Sequence, residues 1–249
     1  MLSAIANWKD NVIKPEENER FLENGRDFID DSLIENLLAI NNNPDPVRLR
    51  EIMAKALELN RLELDEAAAL LNCEDEELWE EMFNTGLQIK HKVYGRRIVT
   101  FAPLYVSNYC VNNCTYCGFR AENKDIHRTQ LSKAELEAEI KALVNMGHKR
   151  LIMVYGEHPK SDVDYIAETI KVAYATKAGN GEIRRVNVNA APLKIADYKI
   201  LRDVGIGTYQ VFQETYHHHT YQQVHRSLKA DYRWRLYSLH RAMEAGVDD

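Results

Sequence analysis

Cys110, Cys114 and Cys117 stand in the run CVNNCTYC, with three and then two residues between them, directly after the apolar stretch Ile98 to Val106. Three thiolates presented by one short loop can ligate three irons of a four-iron, four-sulfur (4Fe-4S) cluster and leave the fourth iron open to a substrate. An open iron makes such a cluster a reagent as well as an electron store. Other chemistries suit the spacing less well. A structural zinc site is closed by four ligands, usually in two paired halves. The remaining cysteine, Cys73, lies far upstream in a segment that reads as a helix, which leaves His127 or a later histidine as the source of a fourth ligand. Three close thiols and one distant one do not make a paired disulfide framework. Cys73 reads most simply as a small buried hydrophobe.

The elements that must carry this loop follow from periodicity. The first 95 residues read as a helical region. Asp31 to Ile40 has apolar residues at helical spacing with a Ser32/Glu35 capping box. After Pro44 and Pro46 comes an amphipathic segment through Leu49, Ile52, Met53, Ala56 and Leu57. Asp65 is a candidate cap for Glu66 to Leu71, and a longer helix runs through Leu78, Trp79, Met82 and Phe83, where Trp79 and Met82 suit core packing. Residues 96–249 alternate strand and helix. Strands are expected at Ile98–Val106, Leu151–Tyr155, Val186–Asn189 and Tyr209–Phe212. Helices are expected at Leu131–Met146, with a Ser132/Glu135 box and Gly147 as terminator, then from Asp162 to about Ala178, Ile195–Val204 and Asp231–Ala245. This is the pattern of a parallel sheet with helical crossovers, an α/β fold in which chemistry collects at the carboxyl ends of the strands.

The polar residues fall where that rule wants them. The cysteine loop follows strand one, and Gly156-Glu157 follows strand two. Asn187 and Asn189 lie on strand three, with Ala190 to Pro192 just beyond, and Glu214 follows strand four. A glutamate at a strand end is costly unless paired, which favours a binding role for Glu214. Asn187 also suits a role in satisfying backbone groups. Arg235, on its helix, reads by itself as a surface residue. His217, His218 and His219 read as a loop whose side chains do not share one direction, with at most one functional member.

Composition narrows the class. The chain has 249 residues, 45% hydrophobic and 28% charged, enough for one sizeable core or a domain with a helical extension. The net charge of -6 argues against nucleic-acid binding. No apolar run approaches the roughly 18 residues of a membrane span, and the N-terminus lacks a basic-then-apolar signal pattern. Four cysteines outside any disulfide arrangement point to a reducing compartment, so the cytoplasm is the expected location.

Tyr105 to Arg120, YVSNYCVNNCTYCGFR, resembles the cluster loop of the radical S-adenosylmethionine (SAM) enzymes, in which an aromatic residue, here Tyr116, precedes the third cysteine. Within that superfamily it is similar to the tyrosine lyases. One lineage of these matures the active-site cofactor of iron-only hydrogenases, and another, a 2-iminoacetate synthase, serves thiamine thiazole synthesis. The later landmarks VYGEHP, NVNAAP, QETYHHHTY and AMEAGVDD favour the first.

The resemblance implies a parallel (β/α) TIM-type barrel, of which about four units are visible here, and a 4Fe-4S cluster on Cys110, Cys114 and Cys117. It implies SAM bound by Tyr116 at the adenine, Gly156 and Glu157 at the ammonium, Glu214 at the ribose, Arg235 or its neighbour Arg233 at the carboxylate, and Asn189 as a further contact. Tyr155 departs from the glycine that is commoner at its position. The implied reaction is hydrogen abstraction from L-tyrosine by a 5'-deoxyadenosyl radical and cleavage of the Cα–Cβ bond to p-cresol and dehydroglycine. A reducing donor such as flavodoxin or ferredoxin and other hydrogenase maturases are the implied partners.

In the maturing lineage a second iron-sulfur cluster on a C-terminal cysteine motif yields carbon monoxide and cyanide. No cysteine follows Cys117 here. The chain is therefore expected to be the N-terminal part of a longer protein, with an open edge at its last strand and without the carbon monoxide and cyanide steps. A thiazole-synthesis lyase and a non-catalytic metal-binding fragment remain as alternatives.

Overall fold

The computed structural model describes residues 8–247; Met1–Asn7, which open the stretch read against a signal pattern, and Asp248–Asp249 lie outside them. Two compact units divide the chain: residues 29–99 form one, and the segment up to Phe28 with everything from Thr100 onward forms the other. A short helix, α1 (Glu16–Glu19), belongs to the second.

The unit of residues 29–99 is helical, and each helix starts at a side chain that satisfies its free N–H groups. α2 (Asp31–Ile40) is capped by Asp30, which accepts from Leu33 N–H at 3.0 Å, so the cap precedes the expected Ser32/Glu35 box. α3 (Pro46–Leu57) has Asp45 as cap and a proline in its first turn, where the missing N–H costs nothing. α4 (Leu64–Leu71) opens at a reciprocal Glu63–Glu66 box in place of the expected Asp65 cap. α5 (Glu76–Tyr94) runs from Asp75 to Gly95, whose φ of +60° stops it. Leu49, Ile52, Met53, Ala69, Leu78 and Cys73 form the core, so Cys73 is the buried hydrophobe its sequence suggests. Met82 packs on this core, whereas Trp79 stays 42% exposed and donates its indole N–H to Cys73 O.

The other unit is built on a four-stranded sheet of β1 (Ala102–Ser107), β2 (Arg150–Tyr155), β5 (Arg185–Asn189) and β6 (Tyr209–Gln210), in that order and all parallel. α6 (Lys133–Asn145) connects β1 to β2. α7 (Val163–Ala175) and a two-residue hairpin, β3 (Lys177–Ala178) with β4 (Gly181–Glu182), connect β2 to β5. α8 (Ile195–Val204) connects β5 to β6. The period-two pattern sets the faces. Leu104, Met153, Val188 and Tyr209 lie in register and are buried among Leu136, Ile140, Ile166, Ile170 and Leu201 of the helices. Each fully buried aliphatic side chain contributes about 1.5–3 kcal/mol to holding the helices on this face. The alternate residues Pro103, Tyr105, Ile152, Val154 and Gln210 face a cavity. This is the partial (β/α) barrel the sequence leads one to expect.

Local differences have physical reasons. β1 starts at Ala102, not Ile98, because Ile98 and Val99 are exposed and fall in the helical unit. The strand expected at Tyr209–Phe212 stops at Gln210, ahead of the turn at Glu214. The helix expected over Asp231–Ala245 is two helices, α10 (Tyr232–Leu236) and α11 (Ser238–Glu244), which meet at Tyr237 (φ -87°, ψ 11°). The histidine run is the start of a helix, α9 (His218–Val224), with His217 as its cap through a 2.8 Å contact to Thr220 Oγ1. Arg241, fully buried, lies over the Trp234 ring and donates to Leu193 O, Trp234 O and Asn18 Oδ1. It thereby fastens the N-terminal segment to the helices of the sheet unit. None of the described helices is long and apolar enough to cross a membrane.

Candidate functional site

A cavity of about 850 Å³ opens at the carboxyl ends of the strands and is lined by all three cysteines of the loop. Cys114 is buried; Cys110 and Cys117 are partly exposed, and all are free thiols. Burial pushes the Cys110 thiol up. Backbone N–H groups of Asn112 and Phe119 face Cys110 Sγ at 3.5 Å and Cys117 Sγ at 3.4 Å, the type of contact that orients and tunes sulfur ligands. The loop is pinned from two sides: Val111 N–H donates to Glu157 O at 2.9 Å, and Thr115 N–H donates to Val224 O at 3.0 Å.

Gly156 sits beneath the loop so closely that a Cβ there would lie 2.2 Å from Tyr109 O. Only glycine fits, and the Tyr155 ring is turned the other way, its hydroxyl 2.7 Å from Thr169 Oγ1 in the core. Glu157, buried, accepts from Asn112 Nδ2 at 2.6 Å and from Arg235 Nη2 at 2.9 Å. Arg235 is only 5% exposed, against its surface reading, because α10 turns it under the cavity. Burial disfavours its cation most, and the charges of Glu157 and, after it, Tyr221, Glu214 and Cys114 together outweigh that and raise its pKa. Arg233 is the exposed neighbour: it reaches Gly25 O at 3.0 Å and does not line the cavity. Asn189 lines the cavity from the end of β5, while Asn187 accepts from Arg185 Nε at 3.2 Å and does not.

Glu214 occupies a left-handed conformation (φ +61°) in a three-residue turn closed by Thr215 N–H to Gln213 O at 2.7 Å. Non-glycine residues are held there at a cost of about 1–3 kcal/mol, a pattern concentrated at binding sites. The turn brings the Glu214 carboxylate to Lys229 Nζ at 2.9 Å and His225 Nε2 at 3.3 Å. Burial pushes its carboxyl up, and the hydrogen bonds from His225 and Lys229 outweigh that and hold it at about 2. His225, fully buried, also places Nε2 2.8 Å from the Tyr116 hydroxyl, with its Nδ1 3.0 Å from Tyr221 O.

Asn112, Lys229 and His225 had no place among the residues singled out from sequence. Asn112 stands inside the cysteine motif, where a polar residue between ligands is a usable signal. Lys229 and His225 carry no local pattern and are found only once the chain is folded. Among the described residues no group of three or more His, Cys, Asp or Glu side chains converges as a single ion requires.

Residues 104–249 match the radical SAM superfamily. The chain belongs to that superfamily. Radical SAM enzymes use a 4Fe-4S cluster and SAM, and the residues present fit them. Three cysteines line one cavity, Gly156 keeps the loop against the sheet, and the buried Nε of Arg235 has no hydrogen-bond partner.

The chain is 32% identical over 212 residues to 2-iminoacetate synthase of Escherichia coli (strain K12), covering 82% of this chain and 54% of that protein. Among solved structures, a crystal structure of HydG, a maturase of the [FeFe]-hydrogenase, superposes with a TM-score of 0.86 at 50% identity, covering 89% of this chain and 49% of that one. HydG from Carboxydothermus hydrogenoformans gives 0.77 at 42% identity, covering 88% and 51%. The chain thus spans about half the length of the relatives it matches.

Proposed function

We propose that this chain carries the cluster and SAM site of a tyrosine lyase that serves hydrogenase maturation. The observation that carries the reading is the meeting of the cysteine loop, the Glu157–Arg235 pair and Glu214 around one cavity. When bound, the cluster and SAM supply a 5'-deoxyadenosyl radical able to abstract hydrogen from tyrosine. Breaking the Cα–Cβ bond of the tyrosine radical would give dehydroglycine and a 4-oxidobenzyl radical, which one electron from the reducing donor and protonation would convert to p-cresol.

The protein's part is to hold and orient. Cys110, Cys114 and Cys117 bind three irons. The methionine end of SAM carries an ammonium beside a carboxylate. Glu157 and Arg235, side by side at 2.9 Å, present the complementary acid and base. Glu214 is ionised at neutral pH, since its carboxyl titrates at about 2, and so accepts from both ribose hydroxyls. Asn189, which lines the cavity, would meet the adenosine, with Tyr116 in the adjoining loop. A low-potential flavodoxin or ferredoxin as donor, other hydrogenase maturases as partners and a cytoplasmic location complete the reading.

A thiazole-synthesis lyase would share the tyrosine cleavage. The higher identity to HydG, 50% against 32% to 2-iminoacetate synthase, favours the maturation role. The test is anaerobic reconstitution with iron and sulfide, then low-temperature electron paramagnetic resonance with and without SAM, followed by a p-cresol assay with tyrosine. A reduced-cluster signal reshaped by SAM, with p-cresol formed, supports the reading. A signal indifferent to SAM sinks it.

A further inference from the structure

The stretch from Asn108 to Arg128, which contains the cysteine run, is a closed loop whose neck is tied by hydrogen bonds. Leu131 N–H donates to Val106 O at 2.9 Å, Asn108 N–H to Thr129 O at 3.1 Å, and Thr129 N–H to Asn108 Oδ1 at 2.7 Å. From that neck the guanidinium of Arg128 reaches inward. Nη1 donates to Asn108 O at 2.7 Å and Phe119 O at 2.9 Å, and Nη2 donates to Arg120 O at 2.6 Å and Asn123 O at 3.2 Å. One side chain thus bridges the backbone two residues before Cys110 to the backbone just after Cys117. None of its four bonded acceptors is a carboxylate; all are carbonyls of the loop itself.

We propose that Arg128 is the positioning residue of the cysteine loop: its planar fork sets the loop closure, and with it the spacing of the three thiols, before any iron is present. This deepens the cluster reading above and rests on it for the identity of the ligand. The argument is one of geometry. The loop has no regular secondary structure to hold it, and a preorganised ligand set lowers the ordering cost of binding. Four carbonyls lying in pairs suit a rigid guanidinium with five N–H donors. An ammonium is a point charge on a flexible stem and cannot span the same four acceptors. Within the loop the closure is transmitted by Ala121 N–H to Asn112 O at 2.8 Å and Arg120 N–H to Cys117 O at 3.2 Å.

The test compares the chain with Arg128→Lys and Arg128→Gln, first without iron. Hydrogen exchange of residues 109–123 is expected to accelerate about tenfold in Arg128→Gln, the effect of losing one to two net hydrogen bonds, with β2 and β5 unchanged. Arg128→Lys should fall between. In reconstituted protein, the rate of cluster loss to a chelator should rise in the same order. Unchanged loop exchange in Arg128→Gln overturns the proposal. So does acceleration spread equally through β2 and β5, since the residue would then support the whole fold. If the unsubstituted chain holds no cluster, the cluster reading fails, while the exchange result still decides the role of Arg128 in the loop.

Discussion

Replacing Gly156 by alanine places one methyl group 2.2 Å from Tyr109 O and 2.9 Å from Tyr109 C, where ordinary contact begins at 3.4 Å. Both neighbours are backbone atoms, so no side-chain rotation gives relief; the Tyr109 peptide must retreat by about 1 Å. Tyr109 precedes Cys110, whose Cβ already stands 3.4 Å from the same point, so the retreat moves a thiol proposed to hold the cluster. It also pulls on Gly156 N–H to Ser107 O at 2.8 Å and Val111 N–H to Glu157 O at 2.9 Å. Gly156 has no positive φ, so alanine gains about 0.4–1 kcal/mol through the unfolded chain. Overpacking costs about 1–3 kcal/mol, and weakening two hydrogen bonds adds about 1 kcal/mol. The net expectation is a loss of about 1–3.5 kcal/mol. Urea unfolding of the iron-free chain measures it as a lower midpoint at unchanged slope, and iron content after reconstitution should fall. A variant as stable as the parent that also takes up a full cluster would refute the claim that the loop rests on Gly156.

Arg235→Leu and Glu157→Leu should each destabilise by about 3–5 kcal/mol, because each leaves a buried charge without its partner. The double variant should cost clearly less than the sum, which chemical denaturation reads as a double-mutant cycle. Additivity would mean that the 2.9 Å contact is not an energetic pair. Lys229→Met should lift the Glu214 carboxyl from about 2 toward or above its ordinary 4.5, since burial, which pushes it up, loses part of what opposes it. Because the folded value is depressed, the pairing of Glu214 adds stability above about pH 4.5 that is lost as pH falls toward 2. In the variant the folded and unfolded values converge, so stability at neutral pH should be lower and the fall between about pH 4.5 and 2 should shrink. Carbon-13 NMR titration checks this, and a Glu214 that still titrates near 2 would exclude Lys229 as a cause. Asn112→Asp sets a carboxylate where an amide donates to Glu157 Oε2 at 2.6 Å. A loss of about 1–3 kcal/mol is expected from the broken bond and the like charges, and a variant as stable as the parent in urea would contradict it.

Much of this was legible in the chain because its signals are local. Buried strands alternate with amphipathic helices, and the Ser132/Glu135 box and Gly147 bound α6 as expected. The cysteine spacing likewise needs no tertiary information. Signals failed where several residues compete for one local role: Asp30 took the cap expected of Ser32, and Glu63 that expected of Asp65. The histidine run reads as a loop because its members do not share a direction. They do not need to, since one caps a helix and the others lie in its first turn.

The site was half legible for a different reason. Glu157 and Glu214 were visible as carboxylates at strand ends, but what keeps each usable comes from far along the chain. Arg235 reaches Glu157 across 78 residues, and Lys229 reaches Glu214 through a turn that only folding creates. Asn112 links the two: its amide N–H donates to Glu157, and its carbonyl accepts from Lys229 N–H at 3.0 Å. A residue of the cysteine loop therefore fixes, through a single side chain, the spacing between the acid that would meet the amino-acid end of SAM and the segment that holds the acid for its ribose. With cluster and SAM bound as proposed, their positions would be coupled through Asn112, so a change in the loop should be felt in SAM affinity even where no cysteine is altered.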